Sequence, residues 1–481
     1  MAPRTKIVAT IGPASQSSEV LESLMLAGMD VARIGLAHGT VEEHVDRIAR
    51  IRAAAAATGR TVGILADLPG PKVRAGAFAD GGVFLLEGER LALAPGGEGA
   101  RSDERRIEID VPTILSDLHP GDPVILGDGG VRLLVDEVHE SAVWVTVESG
   151  GRLQGRPGVT LPAGRNGPRA PTAHDLELLQ AMVDVDIDMV AVSFVTSASD
   201  ITAVRDAAGP DGPMLVAKIE TAEAVADLDN IIAEADAVMV ARGDLGVRLA
   251  AEDVPHHQKR IIKRSVAYGR PVITATQMLE SMTTSPSPTR AEVSDVANAV
   301  FDGTSAVMLS GETAIGHDPV NVVRTMARIT ERAEVEADWV SWGRDLGRLQ
   351  TASSAGVPVP VRVTAAISAA AWRAVQDVDA SAIICATRSG ATARAIARFR
   401  PHVPIFAVSP LERTARQLSL SWGVTPLASA EYTSTDEIVW YAVESAVQQG
   451  LVKSGDVVAV LAGSPEDPEP VTDSLRLVRV R

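Results

Sequence analysis

The chain has 481 residues, 46% of them apolar and only 3% aromatic, and its net charge is −17 at pH 7. This length exceeds one ordinary core, so we expect two to four domains. The acidic balance argues against general nucleic-acid binding, although a local basic pocket can still take an anionic substrate. The single cysteine, Cys385, excludes an intrachain disulfide and suits a cytoplasmic protein. We find no signal-peptide pattern and no apolar run of membrane-spanning length, so we expect no membrane partner.

Short apolar runs alternate with helical patterns from residue 5 to residue 68. KIVATIG, VARIGL and TVGILADL are typical of strands, and helices are predicted up to Gly28 and over 41–58. Strand–helix alternation of this kind indicates parallel strands.

The pattern changes at Pro69-Gly70-Pro71. From about 72 to 161, short runs such as GVFLLEG, DPVILG and AVWVTVES are separated by Gly, Pro and Asp turns. This pattern predicts a small β-barrel domain inserted into the rest of the fold, hinged at both ends so that it can act as a lid.

Alternation resumes after Pro162 with five more predicted strands. They cover 189–194, 215–219, 237–241, 271–276 and 306–309. With the first three strands they make eight units, the number of a closed (β/α)8 TIM barrel. We therefore expect a catalytic barrel at 1–69 and 163–345, the lid at 70–162, and a C-terminal open α/β domain at 346–481.

The C-terminal third begins with an irregular stretch, 341–360, that predicts a linker. A helix at 365–376 and the strands AIICAT, PIFAV, VTPLA and VVAVLAG then predict an open α/β sheet. The segment from Thr387 to Thr392 joins a strand to a helix start. Its hydroxyl groups, glycine and helix N–H groups fit a phosphate site, although an ordinary helix cap would look similar. The candidate phosphate contacts are Thr387, Ser389, Gly390 and Thr392.

Two strand-like runs end in charged residues. The first ends in Lys218 and Glu220, and the second ends in Arg242 and Asp244. Because side chains two apart on a strand share a face, we expect each pair to point the same way. Such groups could hold a divalent metal and an anionic substrate; the alternative is two salt bridges capping buried strands.

Polar residues occur at nearly every predicted strand end, which is where a TIM barrel places its chemistry. This clustering favours the functional interpretation over the salt-bridge alternative. The residues are Arg33, His38, Asp67, Ser193, Lys218, Glu220, Arg242, Asp244, Thr276, Gln277, Ser310 and Glu312.

Together these motifs resemble the pyruvate kinase family over nearly the whole chain. TKIVATIGPAS, VAKIE, MVARGDLG, ATQMLESM, PTRAEVSDVANAVFDGTSAVMLSGETA and SGATAR are long, specific matches. The resemblance implies phosphoryl transfer from phosphoenolpyruvate to ADP, followed by protonation of the enolate. It also implies a homotetramer, and a phosphorylated allosteric effector at the loop that includes Ser389.

The resemblance assigns roles around the charged strand ends. Glu220 and Asp244 match the family's ligands for Mg²⁺ or Mn²⁺, and hard carboxylate oxygens suit such ions. Lys218 matches the lysine that neutralises charge on the moving phosphoryl group. The backbone N–H groups of Gly243 and Asp244 would receive the substrate carboxylate. Further implied substrate contacts are Arg33, Ser193 and Thr276.

The resemblance also implies a proton-delivering side and a nucleotide side. Thr276, Ser310 and Glu312 match the residues thought to deliver a proton to the enolate carbon. The implied nucleotide contacts are Arg74, His38, Arg156 and the lid residue Asp128.

The family's potassium site is altered in this chain. Gly35 and Ala37 stand where Asn and Ser are usual, and Leu68 replaces a threonine beside Asp67. Lys72 replaces a glutamate, as in members that do without potassium. Our hypothesis is that the Lys72 ammonium lies near Asp67 and replaces K⁺, so that K⁺ is not required.

Several nucleotide contacts of the family are also changed. Ile315 stands for a lysine, Thr196 and Ser287 replace arginines, and Gly35 removes a further contact. Losing one charged hydrogen bond could weaken ADP binding by about 1–3 kcal/mol.

Three hypotheses therefore stay open. The first is a potassium-independent pyruvate kinase. The second is a divergent enzyme that uses the same metal and enolate site with another phosphoryl acceptor or an aldol-type partner. The third is a regulatory paralogue with little activity, which the retained Lys218, Glu220, Asp244 and Thr276 argue against.

Overall fold

The structure is a computed structural model that describes residues 3–97, 99–127, 129–161, 168–352, 358–429, 435–463 and 471–481. The first elements are β1 (Lys6–Thr10), α1 (Ser18–Ala27), β2 (Val31–Gly35), α2 (Val41–Thr58) and β3 (Gly63–Asp67). The helix α2 starts in a capping box between Thr40 and Glu43 and stops at Gly59, whose φ is 65°. The predicted alternation is therefore present, with local signals at both helix ends.

In its described residues, the inserted domain is built from ten short strands around its own apolar core. They are β4 (Ala77–Phe78), β5 (Val83–Leu85), β6 (Arg90–Pro95), β7 (Arg101–Ser102), β8 (Arg106–Ile109), β9 (Pro123–Leu126), β10 (Val131–His139), β11 (Ala142–Ser149), β12 (Gly151–Leu153) and β13 (Val159–Thr160).

Six of these strands form one sheet in the order β13-β9-β10-β11-β6-β8. Its two outer strands are brought together by the segment that follows β3, because Arg74 pairs with Gly158 and Ala75 pairs with Ile109. The sheet therefore curls into a small barrel.

The second part of the main barrel resumes the alternation of strand and helix. Its elements are α3 (Ala173–Asp184), β14 (Met189–Val192), α4 (Ala198–Ala208), β15 (Met214–Ile219), α5 (Ala222–Ala226), α6 (Leu228–Glu234), β16 (Ala237–Ala241), α7 (Arg242–Arg248), α8 (Val254–Ala267), β17 (Val272–Ala275), α9 (Arg290–Phe301), β18 (Ala306–Leu309), α10 (Gly311–Ala314), α11 (Pro319–Glu336) and α12 (Trp339–Ala352). Short 3-10 helices lie at Pro112–Asp117, Ala251–Asp253 and Glu280–Thr283.

Eight parallel strands close the main barrel in the order β1-β18-β17-β16-β15-β14-β3-β2. The predicted (β/α)8 barrel is thus confirmed. Its strands are buried on both faces, so they are rich in Val, Ile, Ala and Met instead of alternating with polar residues.

The part of the C-terminal domain that the structure describes is an α/β sheet of five strands in the order β21-β20-β19-β22-β23. Its elements are α13 (Val359–Asp377), β19 (Ala382–Ala386), α14 (Ala391–Ala397), β20 (Ile405–Ser409), α15 (Glu412–Leu418), β21 (Val424–Ala428), α16 (Thr435–Gln448), β22 (Val457–Ala462) and β23 (Ser474–Arg479). The predicted open sheet is confirmed, and β23, which we did not predict, adds an antiparallel edge.

The prediction of an irregular linker at 341–360 was wrong for its first part, because α12 continues to Ala352. Trp342 and Leu346 pack one face of this helix onto the core, and Trp342 Nε1 donates to the Arg398 carbonyl at 2.9 Å. Gly343 obscured the helical pattern in the sequence, yet it is needed, since a Cβ there would lie 2.4 Å from Trp372. The predicted boundary at 345/346 falls inside α12, and the one at 162/163 lies outside the described residues.

The C-terminal domain docks on the floor of the barrel, at the N-terminal ends of the strands. Leu420 is fully buried within the inward-facing barrel core. Gly63, the first residue of β3, admits this segment, because a Cβ there would lie 2.7 Å from the Arg416 carbonyl oxygen. The domain therefore lies at the opposite end of the barrel from the C-terminal strand ends.

A buried carboxylate joins the two domains. Asp188, just before β14, is fully buried, and its Oδ1 accepts from Arg416 Nε at 2.6 Å. Its Oδ2 accepts from the Ile64 backbone N–H at 2.8 Å and lies 2.9 Å from Arg52 Nη1. Among the described residues, no helix is both long enough and apolar enough to cross a membrane.

The contacts of Asp188 generate a stability prediction. Asp188→Asn should lower the free energy of unfolding by about 3 kcal/mol, because breaking a buried ion pair leaves charged partners poorly compensated. The measurement is urea or thermal unfolding of the full chain. Asp186→Asn is the matched control: Asp186 contacts the same Arg416 but is 63% exposed, so its loss should cost less than about 1 kcal/mol. Equal losses in the two variants would contradict this assignment.

Candidate active site

The Lys218 ammonium lies among acceptors from three barrel strands, at their C-terminal ends. Its Nζ is 3.3 Å from Asp67 Oδ1 and 3.6 Å from Glu220 Oε2, and it donates to Ser193 Oγ at 2.6 Å. Burial alone would lower the pKa of Lys218, but Asp67 and Glu220 outweigh it and raise the pKa above its usual value. The structure therefore brings Lys218, Asp67, Glu220 and Ser193 together. We call these four residues the charged group.

Arg33 approaches the same carboxylate from β2. Its Nε donates to Asp67 Oδ2 at 2.7 Å, and its Nη1 donates to Thr10 Oγ1 at 3.0 Å. Burial would raise the pKa of Asp67, but Lys218 and Arg33 outweigh it, so this pKa lies below its ordinary value. Asp67 is thus an ionised anchor between two cations.

Glu220 has fewer cations near its negative charge than Asp67 has, because only Lys218 pairs with it. It is fully buried, its Oε1 accepts from the Phe194 N–H at 2.7 Å, and its Oε2 has no hydrogen-bond partner among the described residues. Burial is the main cause that raises the pKa of Glu220 to about 7, against the opposing effect of Lys218. A carboxylate of this kind is suited to an additional cation.

Asp244 lies in the first turn of α7, not on a strand. Its charge acts on both Glu220 and Lys218. The prediction that Arg242 and Asp244 point the same way was wrong, because α7 begins at Arg242 and the strand period no longer applies. Arg242 is buried and pairs with Asp295 at 2.6 Å.

The strand-seven loop is held in an unusual backbone conformation. Thr276 and Gln277 have φ values of 66° and 53°, and a β-branched residue rarely adopts the left-handed region. The Thr276 Oγ1 accepts from the Gly243 N–H at 2.8 Å and donates to the Ala275 carbonyl at 2.6 Å. Arg242 Nη2 donates to the Thr276 carbonyl, which helps to hold the turn.

Glu312 organises the neighbouring loop. It is buried, and its two oxygens accept from the backbone N–H groups of Leu279 at 3.1 Å and Ser310 at 2.6 Å. Both carboxylate oxygens are therefore engaged in positioning the strand-seven and strand-eight loops. The roles of Ser310 and Glu312 in proton delivery stay predictions.

Two cavities open above these residues, between the barrel and the inserted domain. The first, which we call the lid-side cavity, has a volume of about 750 Å³ and reaches from Gly158 in the inserted domain to Thr276 and Ser310. The second, the Arg33 cavity, has a volume of about 800 Å³ and includes Lys218. Both are lined by Lys72, Phe194, Asp244 and Ile315, so they adjoin at the charged group.

The predicted nucleotide contacts are only partly brought together. His38 and Arg74 line the Arg33 cavity. Arg74 Nη1 donates to the Arg156 carbonyl at 3.4 Å, and the Arg156 guanidinium pairs with Asp110 at 3.1 Å. The fourth residue, Asp128, lies outside the described residues.

Ile315 and Thr196, where the resemblance leads us to expect basic residues, border the same space. Ile315 is 67% exposed and lines both cavities. Thr196 lines the lid-side cavity, and its Oγ1 donates to Asp200 at 2.9 Å. These positions therefore supply no positive charge.

Lys72 does not contact Asp67 directly. Asp67 is paired with Arg33 and Lys218 instead, and within the described chain it forms no ion pair with Lys72. The Lys72 side chain lies against Gly158, where a Cβ would be 3.1 Å from its Cε. Lys72 does line the Arg33 cavity together with Asp67, so its charge enters the same space from the lid side.

Several hydroxyl groups of the predicted effector loop already form hydrogen bonds within the protein. Thr387 Oγ1 accepts from the Gly390 N–H at 2.9 Å, and Ser389 Oγ accepts from the Ala391 N–H at 3.4 Å. The Thr392 hydroxyl bonds to that of Thr472 at 2.8 Å. A phosphate role for this loop stays a prediction.

Sequence reasoning missed two features of the site. Phe194, with a φ of 57°, turns its N–H onto Glu220, and no local motif marks that turn. Thr10 anchors Arg33, and the only signal for it was its place at the end of the first strand.

Two family models match the chain. The pyruvate kinase barrel domain covers residues 2–323, and the pyruvate kinase alpha/beta domain covers residues 365–478.

Curated relatives agree over almost the full length. The pyruvate kinase of Geobacillus stearothermophilus is 42% identical over 470 residues, which is 97% of this chain and 78% of that protein. The pyruvate kinase of Clostridium acetobutylicum is 38% identical, covering 98% of this chain and 99% of that protein. That of Methylorubrum extorquens is 40% identical, covering 99% and 97%. The chain therefore belongs to the pyruvate kinase family of phosphotransferases.

Proposed function

We propose that the chain transfers the phosphoryl group of phosphoenolpyruvate to ADP, giving pyruvate and ATP, as the last step of glycolysis in the cytoplasm. The observation that carries this proposal is the buried Lys218 ammonium, held by Asp67 and Glu220 beside two open cavities. A cation fixed in a water-poor site stabilises charge that develops on a phosphoryl group far better than one in water.

The donor set fits a divalent cation. Glu220 and Asp244 supply hard carboxylate oxygens, and Glu220 Oε2 is buried without a hydrogen-bond partner in the described structure. The described residues contain no group of three or more His, Cys, Asp or Glu side chains placed to hold a metal. Two carboxylates suffice for Mg²⁺ or Mn²⁺, which keeps waters and substrate oxygens as its other ligands. When bound, the ion would neutralise negative charge on the phosphoryl oxygens.

The other groups orient the substrate around this centre. Arg33, fixed by Asp67 and Thr10, directs its guanidinium into the cavity beside Lys218 as a phosphate contact. The first turn of α7 would receive the substrate carboxylate through the N–H groups of Gly243 and Asp244; the Gly243 N–H, which donates to Thr276 Oγ1 in this structure, would exchange that bond for one to the substrate.

The Thr276 side supplies the proton for the second half of the reaction. Thr276 and Ser310 both line the lid-side cavity, next to the position where the enolate would form. The strained turn and the two backbone bonds of Glu312 hold these hydroxyl-bearing residues in place, so the proton donor is positioned before the substrate arrives.

The residues around Asp67 support potassium independence. Gly35, Ala37 and Leu68 offer no side-chain oxygen for K⁺, and the Asp67 carboxylate is already paired with Arg33 and Lys218. Lys72 adds a further positive charge to the same cavity.

The first prediction concerns the reaction itself. The wild type should release pyruvate from phosphoenolpyruvate only when ADP and Mg²⁺ are both present, and Lys218→Met should lower kcat by at least about 10³-fold, because the phosphoryl charge loses its fixed cation. Lys453→Met, which removes an exposed lysine, is the control and should leave kcat unchanged. Pyruvate release that needs no ADP would favour another acceptor and contradict the proposal.

The second prediction concerns the metal. Glu220→Gln should raise the Mg²⁺ concentration needed for half-maximal activity by about 10–100-fold, because a charged ligand is replaced by a neutral amide. The direct measurement is Mn²⁺ binding followed by electron paramagnetic resonance. Glu234→Gln, at the exposed C-terminal end of α6, should bind Mn²⁺ like the wild type. Undiminished Mn²⁺ binding by Glu220→Gln would rule out the assigned ligand.

The third prediction concerns the monovalent cation. Exchanging Na⁺ for K⁺ should change wild-type kcat/KM by less than about twofold, because a positive charge is already built into the cavity. Lys72→Met should lower kcat/KM by about 10-fold or more, with Lys453→Met again as control. A severalfold activation of the wild type by K⁺ over Na⁺ would contradict potassium independence.

A further inference from the structure

A small basic cavity lies between the barrel and the C-terminal domain, far from the strand ends that carry the charged group. Its volume is about 20 Å³, which by this measure is room for a water molecule or a small ion. Four arginines line it: Arg270, just before β17, and Arg394, Arg398 and Arg400 from α14 and the residues that follow it.

Arg400 is the most deeply buried of the four, with 1% of its surface exposed. Its Nη2 donates to the carbonyls of Gly303 and Thr304. Its Nε and Nη1 have no hydrogen-bond partner among the described residues. The guanidinium also lies 4.6 Å from the Trp422 ring centroid, a contact that offsets only part of the cost of burying a charge.

The cavity wall holds further buried donors without partners in the described part of the chain. They are Ser421 Oγ and Trp422 Nε1. Buried polar groups normally find a hydrogen-bond partner, so three such residues around one small space, Arg400, Ser421 and Trp422, point to a ligand that accepts hydrogen bonds.

The nearby carboxylates are committed to other groups. Asp236, which acts on Arg394 from a distance, pairs with Arg205 at 3.1 Å. Glu334, which acts on Arg400, accepts from the backbone N–H groups of Arg4 and Thr5.

Burial is therefore the main influence on the pKa values of these arginines. It lowers the pKa of Arg394 and of Arg398 to about 10, and that of Arg400 to about 9. At neutral pH they are still cations, so positive charge is concentrated where water cannot compensate it well.

We propose that this interdomain cavity binds a small oxyanion of the phosphate or sulfate type. Guanidinium groups present planar forks of N–H donors that match tetrahedral oxyanions, and they outnumber the other donors in the wall. The ligand joins Arg270 of the barrel to Arg394 and Arg400 of the C-terminal domain, so it stabilises the contact between the two domains.

The site is separate from the predicted effector loop. That loop precedes α14, and the cavity lies at the other end of this seven-residue helix, about 10 Å away. Arg394 connects the two, because the residue lines the cavity while its guanidinium reaches the loop: Nη2 donates to the Ser389 carbonyl at 2.9 Å, and Nη1 lies beside Gly390, where a Cβ would be 2.5 Å away.

The test uses the full chain, inorganic phosphate as the probe, and NaCl at matched ionic strength as the reference. Phosphate should raise the melting temperature of the wild type by about 2–5 °C over chloride, because a ligand that binds only the folded state stabilises it. Arg394→Met should lose this increment, leaving less than about 1 °C. Arg270→Gln, on the barrel side, should lose it too and serves as the second variant if Arg394→Met does not fold.

Three controls locate the effect. Ser389→Glu blocks the effector loop, Lys218→Met alters the active site, and Arg373→Gln removes an exposed arginine that pairs with Asp377 on the same domain. All three should keep the phosphate increment.

Several results would overturn the proposal. One is a wild-type melting temperature that does not respond to phosphate beyond the chloride reference. Others are an increment that survives in both Arg394→Met and Arg270→Gln, or one that disappears in Ser389→Glu or Lys218→Met, because the anion would then lie elsewhere.

Discussion

A lysine ammonium can be buried only where carboxylates surround it, and Lys218 meets this condition at the end of β15. Asp67 and Glu220 keep it charged, while Arg33 and Lys218 keep Asp67 ionised. Glu220 has only the Lys218 ammonium as a nearby cation, its Oε2 accepts no hydrogen bond among the described residues, and burial raises its pKa. The raised pKa of Glu220 is therefore a property of the protein's own electrostatics, and a further positive charge beside this carboxylate would be stabilised.

The loops around this group have strained backbone conformations, and contacts with the rigid barrel hold them in place. Phe194, Thr276 and Gln277 all hold positive φ angles, which a flexible loop would relax. Here each lies directly beyond a buried parallel strand, and backbone bonds to Glu220, Arg242 and Glu312 hold the turns from outside. The rigid scaffold thus supports local conformations that would be too costly alone, and it fixes the backbone around Lys218 and Thr276.

The sequence predicted those parts of the molecule that depend on periodicity. Eight strands could be counted because buried parallel strands form continuous apolar runs, and their polar ends marked the site. Predictions failed where one element changed into another. Arg242 was expected to share a strand face with Asp244, but it is the first residue of a helix and its buried side chain pairs with Asp295. They also failed where tertiary packing overrides local preference, as in α12, where Gly343 fits against Trp372.

The sequence also could not predict how far a side chain in one domain lies from a residue in another. Lys72 leaves the barrel with the inserted domain, so its distance from Asp67 depends on how the two domains meet and not on local sequence. The buried arginines around Arg400 show the same limit. Nothing in the motif order signals that α14 carries them against the barrel.

The burial of Leu420 in the barrel core has a consequence for folding during synthesis of the chain. This residue lies far along the sequence, yet its side chain is part of the inward-facing core of a barrel whose strands begin at Lys6 and end at Leu309. A ribosome delivers the chain from its N-terminus, and domains tend to fold in the order in which they emerge. All eight strands therefore leave the ribosome while the floor of the barrel still lacks its apolar plug. The nascent barrel must wait for more than a hundred further residues, by the difference between positions 309 and 420, before its core can be completed.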